Sequence, residues 1–245
     1  MVFLVNGGYS VPAFAAAMLS FFNLLVIVFL LPESLNLAKN KLVLKKKFFS
    51  LESLLEALSH PLSGKLLILK FFYGLAFSIF QTTFSIYCQK IGLTSNITGY
   101  LLSYVGFMVA FVQGVLIGFL VKIFKERNLI MMSLWLMFFS FIGWILAKNL
   151  WSLAVILLPL TLSGGVLNTK LQALLTESVH KDEIGGILGI SSSLDSFTRV
   201  IAPILGGFLL SGFGVSAPGF FGSILLFFQY ILLIKSLFLL NSIFY

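Results

Sequence analysis

An aspartate and an arginine, Asp195 and Arg199, lie four residues apart in the run SSSLDSFTRVIAPILGG at 191–207. Nothing else in that run is charged. A charge inside an apolar segment of membrane length costs about 2.5–3.5 kcal/mol on insertion scales, and it persists when it pairs, faces a bundle interior or lines water. On a helix, the i, i+4 spacing brings the two side chains together, with the acid N-terminal to the base in the favoured order. Two readings follow. Asp195 is a proton-coupling carboxylate or a solute contact tuned by Arg199, or the two form a structural ion pair that fixes this helix against its neighbours. Pro203 removes a backbone donor and predicts a bend. Gly206 and Gly207, with Gly185 and Gly189 upstream, permit close helix contact. Neutral polar residues inside other apolar runs are Gln81, Thr82 and Thr83, then Gln113, then Asn168. Gln81 and Asn168 are the candidate solute contacts, with an interhelical hydrogen bond as the alternative for Gln81. Lys170 is expected to extend its ammonium to the interface.

The elements that must position these residues are membrane helices. The chain has 245 residues, of which 59% are hydrophobic and 10% charged. Its mean hydropathy is +1.08. Soluble domains carry about 25% charged residues, so this chain is too poor in polar side chains to cover a water-facing shell. Seven apolar stretches are long enough to cross a bilayer, at 11–31, 66–87, 99–121, 129–147, 151–172, 186–212 and 218–234. They lack the alternation of barrel strands, so they are read as helices. The fold class is therefore all-α with seven transmembrane helices. The first stretch has no basic segment before it and no small-residue cleavage pattern after it, so it is a span rather than a signal peptide.

The formal net charge of +8 lies in the loops. Lys39, Lys41, Lys45, Lys46 and Lys47 follow span one, Lys122, Lys125 and Arg127 follow span three, and Lys170 and Lys181 fall near the end of span five and after it. The opposite loops hold only Lys90 and Lys148. The bias of basic residues toward the cytoplasm then places the N-terminus outside and the C-terminus inside. This pattern fits a juxtamembrane signal rather than a nucleic-acid site. Within the 33–65 loop, FFSLESLLEALSHP predicts a short amphipathic helix with a capping box from Ser53 to Glu56. One cysteine, Cys88, excludes an intrachain disulfide and a cysteine-based metal cluster. No metal site, cofactor motif or nucleophile elbow is found, and no phosphate-binding loop supports primary active transport.

Three segments carry a resemblance to the major facilitator superfamily. FLLPES at 29–34 resembles the close of the sixth helix in the drug:proton antiporter branch, and the Lys-rich loop after it resembles the central loop between the two six-helix halves. QGVLIGFLVKIFKER at 113–127 resembles the second copy of the inter-helix motif, with Gly114, Gly118 and Arg127 in place. Lys122 stands where that motif has an acid. KDEIGGILGISSSLDSFTRVIAPILGGFL at 181–209 resembles helix eleven. Within that branch the pattern looks nearest to the animal tetracycline-resistance-like members.

The resemblance implies that the seven spans are helices six to twelve. Residues 1–32 would then be a helix-six-like span, 33–65 the central cytoplasmic loop, and 66–245 the C-terminal six-helix half. It implies a secondary, proton-coupled carrier of a small organic solute rather than an enzyme, incomplete without an N-terminal six-helix half. Its partners would be the lipid bilayer and the solute, with no cofactor and no nucleic acid. In this family helices seven, eight, ten and eleven face the cavity. Two other classes fit seven spans: a seven-helix receptor, whose signature residues are absent, and a non-transporting membrane protein that binds other membrane proteins.

Overall fold

A computed structural model describes residues 10–30, 58–60 and 62–240. The lysine-rich loop, most of the expected amphipathic helix and the last five residues lie outside the described residues. Two compact units divide the chain, residues 1–50 and 51–245. The first contains α1 (Ser10–Leu30), 21 residues without a charge.

Among the described residues, the second unit holds six long helices: α2 (Ser63–Lys90), α3 (Ser95–Ile123), α4 (Glu126–Leu146), α5 (Leu150–Glu177), α6 (Ile184–Phe213) and α7 (Ala217–Leu240). All seven apolar stretches are thus helices long enough to span. No strand occurs among the described residues. The helix ends follow local chemistry. Asn149 caps α5, its side chain accepting from the Ser152 amide at 2.9 Å while Ser152 Oγ accepts from the Asn149 amide. Thr94 caps α3. At the close of α4, the buried Tyr87 hydroxyl lies against the carbonyls of Trp144 (2.9 Å) and Ala147. The Trp144 carbonyl also accepts from the Ala147 amide just past the helix end, where carbonyls lack the next turn's donors.

The core of this unit is aromatic and sits where α2 meets α4. Phe80, Phe84, Phe141 and Trp144 are buried. Phe80 meets the Trp144 ring edge-on, with centroids 5.2 Å apart and planes at 83°, a favoured arrangement of ring quadrupoles. α7 closes the other side. Gly222 packs on Phe141 so tightly that a Cβ there would lie 2.3 Å from the ring.

α2 and α6 cross through a stripe of small residues. On α6, the small buried residues are Ser191, Thr198, Ala202 and Gly206, spaced three to four apart with Asp195 in register. A Cβ on Gly206 would meet Thr83 Cγ2 at 2.5 Å, and one on Gly74 of α2 would touch the Thr198 side chain at 3.6 Å. Packing of this kind drives helix association where lipid is as apolar as leucine. The close-contact role therefore belongs to Gly206. Around Gly185, Gly189 and Gly207 an added Cβ meets nothing within 4 Å. Those three glycines lie on the open side of the helix, because α2 touches only one face of α6. Gly206→Ala is expected to destabilise the protein by about 1–3 kcal/mol through overpacking. Gly207→Ala should stabilise it by about 0.5–1 kcal/mol through helix propensity. Unfolding in mixed micelles measures both, and equal effects at the two sites would contradict this packing.

Two irregularities shape the bundle. α3 contains a π-helical turn at Val112–Leu116, a distortion that often accompanies functional sites. It presses Val112 against Gly165 of α5, where a Cβ would lie 2.8 Å from Val112 Cγ1. Pro203 sits within α6, which continues helical through it.

Candidate functional site

The site grows from a lysine on α2. Lys70 follows LLIL and precedes FFYGLAF, so its stem is surrounded by apolar neighbours. Only 3% of its side chain is exposed. An ammonium so placed needs acceptors, and two of the helices packed on α2 supply them. Lys70 Nζ lies 3.0 Å from Asp195 Oδ2 on α6. It also donates to Gln172 Oε1 on α5 at 2.5 Å and to Ser191 Oγ on α6. Ser191 Oγ in turn lies 3.3 Å from Gln172 Oε1. Three donors of one ammonium thus meet three oxygens from two other helices. Next to this cluster, Tyr73 donates to the Gly164 carbonyl of α5 at 2.8 Å.

Asp195 differs from its partner in exposure, at 39%. It forms part of the wall of an open cleft of about 500 Å³. The polar uncharged part of the wall comes from Gln113 in the π-helical turn of α3, from Asn168, Thr169, Gln172 and Thr176 on α5, and from Ser192 on α6, with Lys70, Ala173 and Leu188 completing it. Most of the lining is polar and uncharged. Lys70 and Asp195 bring the only formal charges to it.

This geometry changes the reading of the arginine. Asp195 pairs across helices with Lys70, and no Asp195–Arg199 ion pair forms among the described residues. The i, i+4 spacing permits that contact but does not compel it. Lys70 is buried and Arg199 is exposed, so leaving Lys70 without a carboxylate would cost far more. Asn168 lines the cleft. Gln81 does not; it is exposed on α2, eleven residues and about 16 Å along the axis from Lys70.

Lys170 is buried and pairs with Glu126, the partly exposed first residue of α4. Its ammonium thus reaches a carboxylate at a helix start. The ion pair ties α5 to the α3–α4 connection. Gly114 and Gly118 in that region have open space around them, and Arg127 is exposed. Glu177, His180, Asp182 and Glu183 form an exposed connection between α5 and α6.

Lys70 and Gln172 were not among the candidates that spacing singled out. Lys70 carries the same signal that marks Asp195, a charge in an apolar stretch of spanning length. Gln172 carries none, because a lone amide near a helix end is ordinary.

The profile of the Major Facilitator Superfamily matches residues 1–192 and, in a second overlapping alignment, residues 66–242. Solute carrier family 22 member 18 of Rattus norvegicus is 30% identical over 172 residues, which is 70% of this chain and 42% of that protein. Its Mus musculus counterpart is 29% identical over 71% of this chain and 43% of the relative. Solute carrier family 67 member A1 of Homo sapiens is 25% identical over 86% of this chain and 52% of the relative. The chain spans about half the length of these curated relatives. With seven apolar helices and a family profile matched along nearly its whole length, this integral, multi-pass membrane protein belongs to the Major Facilitator Superfamily, a family of transporters rather than enzymes.

Proposed function

We propose that the chain is the helix-six-to-twelve portion of a secondary carrier that moves a small organic solute, coupled to protons, in the drug:proton antiporter and tetracycline-resistance-like branch. One observation carries this reading. The polar cleft is walled by α2, α3, α5 and α6, which are helices seven, eight, ten and eleven in that numbering. Carriers of this fold hold their solute between two pseudo-symmetric halves and alternate access by rocking one against the other. Its relatives are solute carriers by name, in agreement with this role. In this reading residues 66–245 are the C-terminal half, and 33–65 are the central cytoplasmic loop. The N-terminus faces out, following the basic loops. The transcript upstream of Met1 is expected to encode five further spans.

Asp195 is the coupling carboxylate of this proposal, with Lys70 as its counter-charge. Purified protein in proteoliposomes is expected to take up solute faster under an imposed proton gradient. Asp195→Asn should reduce gradient-driven uptake at least tenfold while leaving exchange of solute without a gradient measurable. Gradient-driven uptake that survives the substitution at full rate would remove Asp195 from coupling.

A further inference from the structure

The cleft has an asymmetry that selects the charge of its ligand. Its positive group is fixed and buried, with Lys70 3% exposed and held by Gln172 and Ser191. Its negative group borders the open space, with Asp195 39% exposed. No second acid lines the cleft. Asp195 is the only anion paired with Lys70 among the described residues. The titratable and charged groups near Asp195 are Lys70 and Tyr73 from α2 and Arg199 one turn along α6. The parts of α3 and α5 that line the cleft contribute only uncharged side chains.

We propose that this cleft binds a small monovalent organic anion whose carboxylate takes the place of Asp195 on Lys70, and that Asp195 is protonated as it yields that place. The proposal rests on the reading of the cleft as the solute site. A proton on Asp195 leaves the Lys70 ammonium with neutral acceptors alone, which a buried charge tolerates poorly. A carboxylate arriving from the cleft restores the pair. One proton and one monoanion occupy the site together, so its net charge stays zero and the two move in the same direction, which departs from the antiport that gives the proposed branch its name. An organic cation meets the opposite balance: it must draw Asp195 away from Lys70 and leave that ammonium uncompensated. The amides and hydroxyls of Gln113, Asn168, Thr169, Thr176 and Ser192 suit hydroxyl or amide groups on the anion. Loading and proton uptake are then linked by mass action, each favouring the other.

The test uses acetate as the smallest carboxylate, on the full chain in lipid nanodiscs. In Asp195→Ala, acetate is expected to raise the thermal midpoint by several degrees, as a ligand that binds only the folded state does. Tetramethylammonium chloride at equal ionic strength should not. The double variant Lys70→Gln/Asp195→Ala should not respond to acetate. A missing response in Asp195→Ala, or an equal one in the double variant, overturns the proposal. The wild-type protein gives a second measurement that needs no variant to fold. In weakly buffered solution, acetate should draw about one proton per bound anion from the medium. Acetate binding without proton uptake overturns the coupling. The outcomes separate from those of the transport reading. An acetate response together with no solute movement in proteoliposomes removes transport and leaves the anion site. Solute movement without an acetate response does the reverse.

Discussion

Asp195→Ala is expected to lower the stability of the protein by up to about 3–5 kcal/mol, the loss when the partner of a buried charge is removed. Lys70→Met is expected to cost only about 1–2 kcal/mol, the penalty for leaving buried acceptors without a donor. The difference comes from exposure. Without Lys70, Asp195 still borders the cleft and can be hydrated there, since 39% of its side chain is open. Without Asp195, the Lys70 ammonium, 3% exposed in the intact pair, keeps only the neutral acceptors Gln172 and Ser191 and the water that the cleft admits. Met also refills the apolar path that the Lys70 stem occupies. The double variant Lys70→Met/Asp195→Ala should therefore be more stable than Asp195→Ala alone, a coupling that a double-mutant cycle reads directly. Denaturant unfolding in mixed micelles gives all three free energies. Equal losses for the two single variants, or a double variant worse than Asp195→Ala, would contradict the ion pair as drawn.

Trp144→Ala is expected to cost about 3–5 kcal/mol, the range for emptying a large aromatic site in a packed core. Trp144 is 2% exposed and meets Phe80, Phe84, Tyr87 and Phe141. Trp144→Phe should cost less than about 1.5 kcal/mol. The reason is polar: the indole Nε1 is buried with no hydrogen-bond partner. Phenylalanine loses some packing but relieves that unpaired donor, so the two effects partly cancel. For a domain of this size each kcal/mol moves the melting midpoint by about 2–4 °C. The alanine variant should therefore melt at least about 3 °C below the phenylalanine variant. Similar losses for both would mean that the indole nitrogen contributes a hydrogen bond of its own.

The spans were legible because their signal is summed over twenty residues. A stretch such as WSLAVILLPLTLSGG has one bilayer-compatible structure, since a membrane leaves no water to satisfy an unpaired backbone. Helix ends were legible to a few residues: the Asn149–Ser152 capping box and the Thr94 cap move α5 and α3 slightly beyond their apolar runs. The candidate site was legible only in part. Asp195 and Asn168 line the cleft, while Gln81 lies outside it and Lys70 entered only with the tertiary packing. An amide in a spanning helix can point to lipid, to a neighbour or to water, and helical spacing does not distinguish these without the neighbouring helices.

Composition and hydropathy by themselves determined the class of this protein, its seven helices and the place of its apolar surface. These are properties of the solvent acting on each segment alone. The segment around Asp195 also determined that its charge needs a partner. Which partner it takes is a tertiary matter. Arg199 is always within reach along the helix, whereas Lys70 comes within 3.0 Å only because α2 and α6 pack through Gly74, Thr198 and Gly206. The pair forms between helices because burial makes an unmatched Lys70 costlier than an unmatched, exposed Arg199. That choice turns a local ion pair into a bridge across the wall of the cleft.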